Sequence, residues 1–310
     1  MTAEGFLKSI TRTEWHHTSL SLKDVPIHPL LVIDYELIKA GNKHEIERLW
    51  TAGTTLGFWY LKNHGVDEER KMKYEQGDEG MSFGYKAAGA NVVDASGTKD
   101  ITQFINIATD DALAWPVQAR RSYPSTVNAS MVSTIAPGSA TRCTYSPPIL
   151  DRQVTAISAH TDFGSLSFLH NRLGGLQVLV PGTEEWQYVK PLPGHAICNL
   201  GDAMVIFSGG ILRSNLHRVV NPPGAQGSLD RYSLVYFTRP ADSVVLRALT
   251  DESPLIADAV AHASDPKRFE PGVTALEWLT RRIKNRRAAN QKGLGAWLDS
   301  GGTEHTTSGS

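Results

Sequence analysis

Between Arg142 and Thr238 the chain reads as one strand after another, roughly eight short runs rich in β-branched and aromatic residues, separated by Gly, Pro and Asn turns. Thr155-Ala156-Ile157-Ser158-Ala159 and Ser165-Leu166-Ser167-Phe168-Leu169 alternate or cluster as strands do, with Gly164 as the break between them. Val219-Val220 follows the Gly209-Gly210 turn, and Tyr232 to Thr238 forms a further run. So many short strands with frequent turns are the cue for a double-sheet jelly roll of the cupin kind. Around that core, Leu30 to Ile33 reads as a short strand and Lys43 to Thr54 as an amphipathic helix with Ile46, Leu49 and Trp50 inward. Phe58 to Lys62 reads as another strand, and Pro254 to Leu298 returns to helix.

The expected fold class is mainly β with flanking helices (α+β) about a double-stranded β-helix core. Residues 1–135 form an N-terminal mixed α/β region packing on the core, 136–245 the jelly roll, 246–300 the C-terminal helices and 301–310 a polar, disordered tail. The pieces make one integrated unit. No internal repeat is visible.

Within the strand-rich region, His160-Thr161-Asp162 is followed by His217 and then by Arg231-Tyr232-Ser233. In an extended segment residues i and i+2 project from the same face, so His160 and Asp162 can reach one metal, while His217 must arrive from another strand. Two imidazoles and one carboxylate bind Fe(II) on one side and leave positions open for oxygen and a bidentate acid. Thiolate chemistry is not an alternative, because Cys143 and Cys198 are too few for a zinc or iron–sulfur site. Arg231 and Ser233 are well suited to grip the far carboxylate of such an acid, the guanidinium fork donating two parallel hydrogen bonds and the serine a third.

With these residues in view, the chain resembles the iron- and 2-oxoglutarate-dependent dioxygenases of the isopenicillin N synthase-like family. The matching stretches are Ile157 to Asp162, Gly175-Leu176-Gln177-Val178, Asn199-Leu200-Gly201-Asp202, Ser214 to Val219 and Arg231-Tyr232-Ser233. Upstream, Gly57-Phe58-Trp59-Tyr60-Leu61-Lys62-Asn63-His64-Gly65-Val66 is similar to the family's N-terminal signature, so that the likeness runs from Ile33 to about Pro240. The resemblance implies Fe(II) held by His160, Asp162 and His217, 2-oxoglutarate as cosubstrate with its distal carboxylate on Arg231 and Ser233, and O2 as oxidant. It also implies a cosubstrate contact from the strand Thr141 to Pro148, where the usual residues are altered; Tyr145 is the candidate, with Thr144 and Ser146 beside it. Phe104, Ile211, Leu212 and Phe237 could line a substrate pocket or simply pack the core, and Gly84-Tyr85 with Gly89 and Gly97 suggests a loop over its mouth. No catalytic side chain is expected beyond the metal centre.

The chain departs from the family pattern in three places. Glu69 to Lys71 leaves little room for a helix, and Met131 to Thr141 is too short for the long amphipathic helix usual there; either the protein is truncated at these points or the sequence omits segments, the second reading being favoured since loss of a core helix would expose the sheet beneath it. His217 and Arg231 lie fourteen positions apart, a longer interval than usual, but the Pro- and Gly-rich connection can absorb the difference in a hairpin.

Several residues near these motifs read as structural. His64 suits a structural hydrogen bond, His195 a turn, His170 an exposed strand end, Asp202 a turn whose carboxylate caps local backbone, and Arg218 an ion pair on the face opposite His217. Composition agrees with a soluble globular enzyme: 310 residues, 41% hydrophobic, 20% charged and a net charge of −1 give ample core without the basic balance of a nucleic-acid binder. The single basic cluster, Arg281 to Arg287, reads as the solvated face of a helix. No apolar run reaches the roughly twenty residues of a membrane helix, no secretory signal is apparent, and cytoplasm is the expected location. Oligomeric state is not legible. Two other readings stay open: an oxidase of the same fold that uses no 2-oxoglutarate, since Arg-x-Ser occurs in both groups, and a non-catalytic jelly-roll binding protein.

Overall fold

In a computed structural model of the chain, which describes residues 25–64, 84–86, 88–91, 98–108, 140–147 and 155–286, two sheets face one another. The larger has eight strands in the order β1-β2-β10-β7-β12-β5-β4-β3, and the smaller has four in the order β6-β11-β8-β9. In chain order the strands are β1 (Val32–Asp34), β2 (Phe58–Lys62), β3 (Gly84–Lys86), β4 (Gln103–Ala108), β5 (Ala140–Ser146), β6 (Thr155–His160), β7 (Leu166–Asn171), β8 (Leu176–Leu179), β9 (Trp186–Tyr188), β10 (Ala196–Leu200), β11 (His217–Val220) and β12 (Arg231–Phe237). This is the jelly roll expected from the strand rhythm. The N-terminal region does more than pack on it, because β1 to β4 extend the larger sheet at both edges. The short stretches Glu69–Lys71 and Met131–Ser139, Gly97 and the 301–310 tail lie outside the described residues.

The alternation of each strand divides the core into two layers. Between the sheets lie Phe58, Tyr60, Ile197, Ala156, Leu176, Val178 and Val219. On the outer side of the larger sheet, Ile33, Trp59, Ala196, Cys198 and Leu200 pack with Ala52 and Leu49 of the helix α2 (Lys43–Thr55), which follows the short helix α1 (Tyr35–Lys39). Burial pushes the Cys198 thiol well above its ordinary range.

The inward face of α2 differs from the expected one. Ile46 and Trp50 are exposed by 45% and 50%, and the buried residues are Glu45, Ala52 and Gly53. Two contacts turn the helix this way. Glu45 accepts a hydrogen bond from the Asp34 backbone N–H (2.6 Å), and small side chains at 52 and 53 let the helix approach the sheet, where a Cβ on Gly53 would lie 3.4 Å from Leu212. Gly84–Lys86, expected as a loop, is instead an edge strand paired with β4, because the apposed strand offers its backbone groups partners that a free loop would lack.

Three α-helices, α3 (Asp202–Phe207), α4 (Pro254–Ala261) and α5 (Ala275–Arg286), and two 3-10 helices, Gly224–Ser228 and Pro266–Phe269, complete the described elements. None of the described helices is long and apolar enough to cross a membrane.

Candidate metal centre

β6 and β11 are antiparallel neighbours in the smaller sheet, and their register sets His160 directly opposite His217. Asp162 lies just past the end of β6 and returns to the same point. The ligand atoms of the three residues all lie within 4.8 Å of one another, and Asp162 Oδ1 is 3.7 Å from His160 Nε2 and 3.8 Å from His217 Nε2.

The surroundings fix which atoms can face a cation. His160 Nδ1 lies 2.7 Å from the Ser158 carbonyl, and His217 Nδ1 lies 3.1 Å from the Asn215 carbonyl. A carbonyl oxygen only accepts, so each Nδ1 carries the proton and each Nε2 keeps its lone pair, the arrangement a metal-binding neutral imidazole requires. The edge of the Phe58 ring holds His217 from the side, with ring centroids 5.3 Å apart.

Asp162 is oriented with equal definition. Its Oδ2 accepts from Ser167 Oγ (2.5 Å) and from Asn199 Nδ2 (2.7 Å), which leaves Oδ1 for the side the imidazoles share. Burial alone would raise this carboxyl, but the charge of His217, the hydrogen bonds from Asn199 and Ser167 and the more distant Arg142 outweigh it and hold the group below the ordinary carboxylate range. The hydrogen bonds from Asn199 and Ser167 favour the ionised carboxylate whatever the charge of His217, as the donor set for a divalent ion requires.

Arg231 and Ser233 sit on the inner face of β12, opposite Ser146 and Thr144 of β5. Arg231 is 3% exposed, and burial lowers its guanidinium to about 10, still protonated at neutral pH. Its Nε donates to the Gly174 carbonyl (2.8 Å), so an anion would meet the terminal Nη edge. The adjoining Gly175 has φ +100°, and a Cβ there would come 2.5 Å from the Val220 carbonyl and 3.4 Å from Arg231 Nε; a side chain at this point would press on the arginine. Ser233 Oγ is buried and finds no hydrogen-bond partner among the described residues. An orphaned hydroxyl beside a buried guanidinium fits a carboxylate that would occupy the space.

The other candidate residues divide. Tyr145 does not join Arg231 and Ser233: strand alternation places it on the opposite face, beside Tyr232, with its hydroxyl donating to Asp230 (3.1 Å). Thr144 and Ser146, its neighbours, share the inner face of β5 with Arg142. Phe104 and Phe237 also face inward, Phe104 opposite Thr144 and Phe237 opposite Ser167. Leu212 belongs instead to the layer outside the larger sheet, against Leu200 and Gly53, because the turn after α3 carries it toward α2; Ile211 precedes it, half-buried.

Reading the sequence missed the supports of the site. Ser167 and Asn199, on adjacent strands in register, were legible as alternate polar positions in apolar strands. Asp202 is not a turn cap. It is fully buried at the start of α3, accepts from Thr161 Oγ1 (2.9 Å), and pairs with Arg282 of α5 at 2.6 Å. Arg282, placed on a solvated face by its basic surroundings, is thus 2% exposed. Arg218 meets the neutral Gln177 amide (2.7 Å) and the Trp186 ring, and no carboxylate among the described residues. His170 packs with His64 and Phe168 in a ring cluster and is half-buried.

A jelly roll whose paired strands present two histidines and an aspartate to one point, with an arginine–serine pair on the facing sheet, could hold a divalent ion through three protein ligands with an anion beside it. Residues 137–240 match the family model described as the 2OG-Fe(II) oxygenase superfamily. Among curated relatives, a 2-oxoglutarate-dependent dioxygenase of Aspergillus fumigatus is 39% identical over 143 residues, 40% of this chain and 36% of the relative. The 2-oxoglutarate-dependent dioxygenase iboH of Amanita muscaria is 42% identical over 96 residues, 30% of this chain and 47% of the relative. The matches thus span less than half the length of these relatives. Among solved structures, a full-length Neurospora crassa protein in complex with alpha-KG is similar with a TM-score of 0.63 at 20% identity, covering 85% of this chain and 99% of that one. JOX2 in complex with 2OG, Fe and JA follows at 0.61 and 18%, covering 96% and 97%. At such identities the likeness is one of fold.

Proposed function

We propose that the protein is a non-haem Fe(II)- and 2-oxoglutarate-dependent dioxygenase of the isopenicillin N synthase-like branch. It oxidises a small organic substrate, by hydroxylation, desaturation or rearrangement, in specialised metabolism and in the cytoplasm. Residues 1–135, 136–245 and 246–300 act as one catalytic unit. The observation that carries the reading is the division of Asp162, one oxygen anchored by Ser167 and Asn199 and the other 3.7 and 3.8 Å from the Nε2 atoms of His160 and His217.

In this reading His160, Asp162 and His217 hold Fe(II), and Arg231 with Ser233 binds the distal carboxylate of 2-oxoglutarate. Bound iron and cosubstrate supply the oxidising chemistry with O2. The protein supplies position and charge. The carbonyls of Ser158 and Asn215 keep both Nε2 atoms available, and Ser167 and Asn199 keep Asp162 from rotating. Gly174 holds the guanidinium edge toward the chamber, where Ser233 adds a neutral donor. No side-chain general base is needed.

The test is an anaerobic titration of the full chain with Fe(II) and then 2-oxoglutarate, read by absorption. A metal-to-ligand charge-transfer band on adding the keto acid, absent in Asp162→Ala, is the expected outcome. Iron binding without the band would replace this reading by that of an oxidase of the same fold, and failure to bind iron would replace it by that of a binding protein.

A further inference from the structure

The two imidazoles take their orientation from carbonyls in different settings. Ser158 lies within β6, so its carbonyl is placed by the strand that also carries His160. Asn215 precedes β11, which begins at His217, and lies in a stretch outside the described strands and helices. No strand of its own fixes this carbonyl, yet His217 Nδ1 donates to it (3.1 Å). The Phe58 ring limits the imidazole from one side only and offers it no acceptor.

The side chain of the same residue supplies the constraint. Asn215 is 1% exposed, and its Nδ2 donates to the Leu179 carbonyl at the end of β8 (2.8 Å). The Leu179 N–H donates in turn to the Leu216 carbonyl (3.0 Å). Both backbone groups of Leu179 are thus taken up by the two residues before the ligand. The side-chain amide acts as one more rung of the β8–β11 pairing, in which His217 stands opposite Val178. The Asn215 amide oxygen, by contrast, is buried with no hydrogen-bond partner among the described residues. A buried amide with an unsatisfied oxygen is less favourable than an apolar side chain of similar size, unless its donor does what an apolar group cannot. The contribution of Asn215 therefore lies in its Nδ2.

We propose that the Asn215 side chain is a positioning group for the metal centre: by tying its own backbone to β8 it aims its carbonyl at His217 Nδ1, keeps the proton on that nitrogen and leaves Nε2 free for the ion. The inference rests on His217 being an iron ligand. Asn215 acts through His217 alone and contacts neither ion nor cosubstrate in this scheme. Loss of the amide would release the carbonyl, and the imidazole would then divide between its two tautomers. The form protonated at Nε2 cannot bind the ion at that nitrogen until its proton moves. His160, oriented from within its own strand, would keep its tautomer.

The test uses the full chain, free of metal and isotopically labelled, at a pH where imidazoles are neutral, and reads each tautomer by long-range proton–nitrogen correlation. In the wild type His217 is expected in the Nδ1-protonated form, and the Asn215 side-chain amide hydrogens are expected to exchange at least about tenfold more slowly than those of exposed asparagines. In Asn215→Leu, His217 is expected to populate both tautomers while His160 keeps one, and Co(II) affinity is expected to fall about tenfold or more. Ser214→Ala, which removes a neighbouring buried hydroxyl with no partner among the described residues, is expected to change neither. An unchanged His217 tautomer in Asn215→Leu would overturn the proposal, and so would Co(II) affinity within about twofold of the wild type. An equal change at both histidines, or the same change in Ser214→Ala, would overturn it too, by assigning the effect to general loss of packing. Freely exchanging Asn215 amide hydrogens in the wild type would overturn it even if the variant failed to fold. If the wild type binds no Co(II), the functional reading fails, and the tautomers still decide the role of Asn215.

Discussion

Arg282→Leu is the most informative single substitution for stability, because it removes one partner of a pair with almost no access to water. Arg282 and Asp202 are 2% and 0% exposed and meet at 2.6 Å. Truncation leaves the Asp202 carboxylate buried with the Thr161 hydroxyl, and the guanidinium also leaves its position over the Phe163 ring at 4.5 Å. Breaking a buried pair from one side costs about 3–5 kcal/mol. The damage should extend to the metal centre, since the Asp202 backbone N–H donates to the Asp162 carbonyl (2.8 Å). Loss of such supporting contacts typically weakens metal binding about 10- to 100-fold. Urea denaturation and Zn(II) titration of wild type, Arg282→Leu and the double variant Arg282→Leu/Asp202→Leu measure both effects, with the double variant expected to recover part of the loss. Arg281→Ala, one residue away and exposed, should stay within about 0.5 kcal/mol. A cost below about 1 kcal/mol for Arg282→Leu, with metal affinity unchanged, would refute the claim that this pair secures α5 to the ligand loop.

Other substitutions probe the centre directly. Arg231→Leu should weaken 2-oxoglutarate binding by about 2 kcal/mol or more, some thirtyfold, because the buried anion loses its charged partner; isothermal titration reads this, and Arg281→Ala should not show it. Ser233→Ala should cost about 1 kcal/mol in the same titration and little in stability, since the hydroxyl has no partner among the described residues to lose. Gly201→Ala should destabilise the Asp162 loop and lower both melting temperature and metal affinity, as the added Cβ would lie 2.3 Å from the Gly164 carbonyl oxygen and 3.0 Å from that of Asp162.

What the sequence revealed followed the range of each interaction. Strand periodicity is local, and the strands from Thr155 to Phe237 were readable from alternation and turn residues alone. His160, Asp162 and His217 were readable because their chemistry is rare in that combination, and they converge as the spacing suggested. The face of α2 was misread because apolar Ile46 and Trp50 outweighed small Ala52 and Gly53 in the pattern, whereas the helix is set by a close approach that only small residues allow. Arg282 was misread for a related reason. A basic run announces solvent exposure, and the acid that draws one of its members inward, Asp202, stands eighty positions away. Tyr145 shows the limit of motif transfer: one residue of shift along β5 exchanges inner face for outer, and Tyr145 lies on the face away from Arg231 and Ser233.

Because His160 and His217 are direct partners across two strands, the ion would read strand alignment as well as stabilise it. A one-residue slip of β11 against β6 would carry one imidazole to the far side of the sheet and leave a polypeptide of similar secondary structure unable to capture metal. Metal loading would thus report the alignment of two strands distant in the chain, and the metal-competent fraction of a refolded preparation would count the molecules that have paired them correctly.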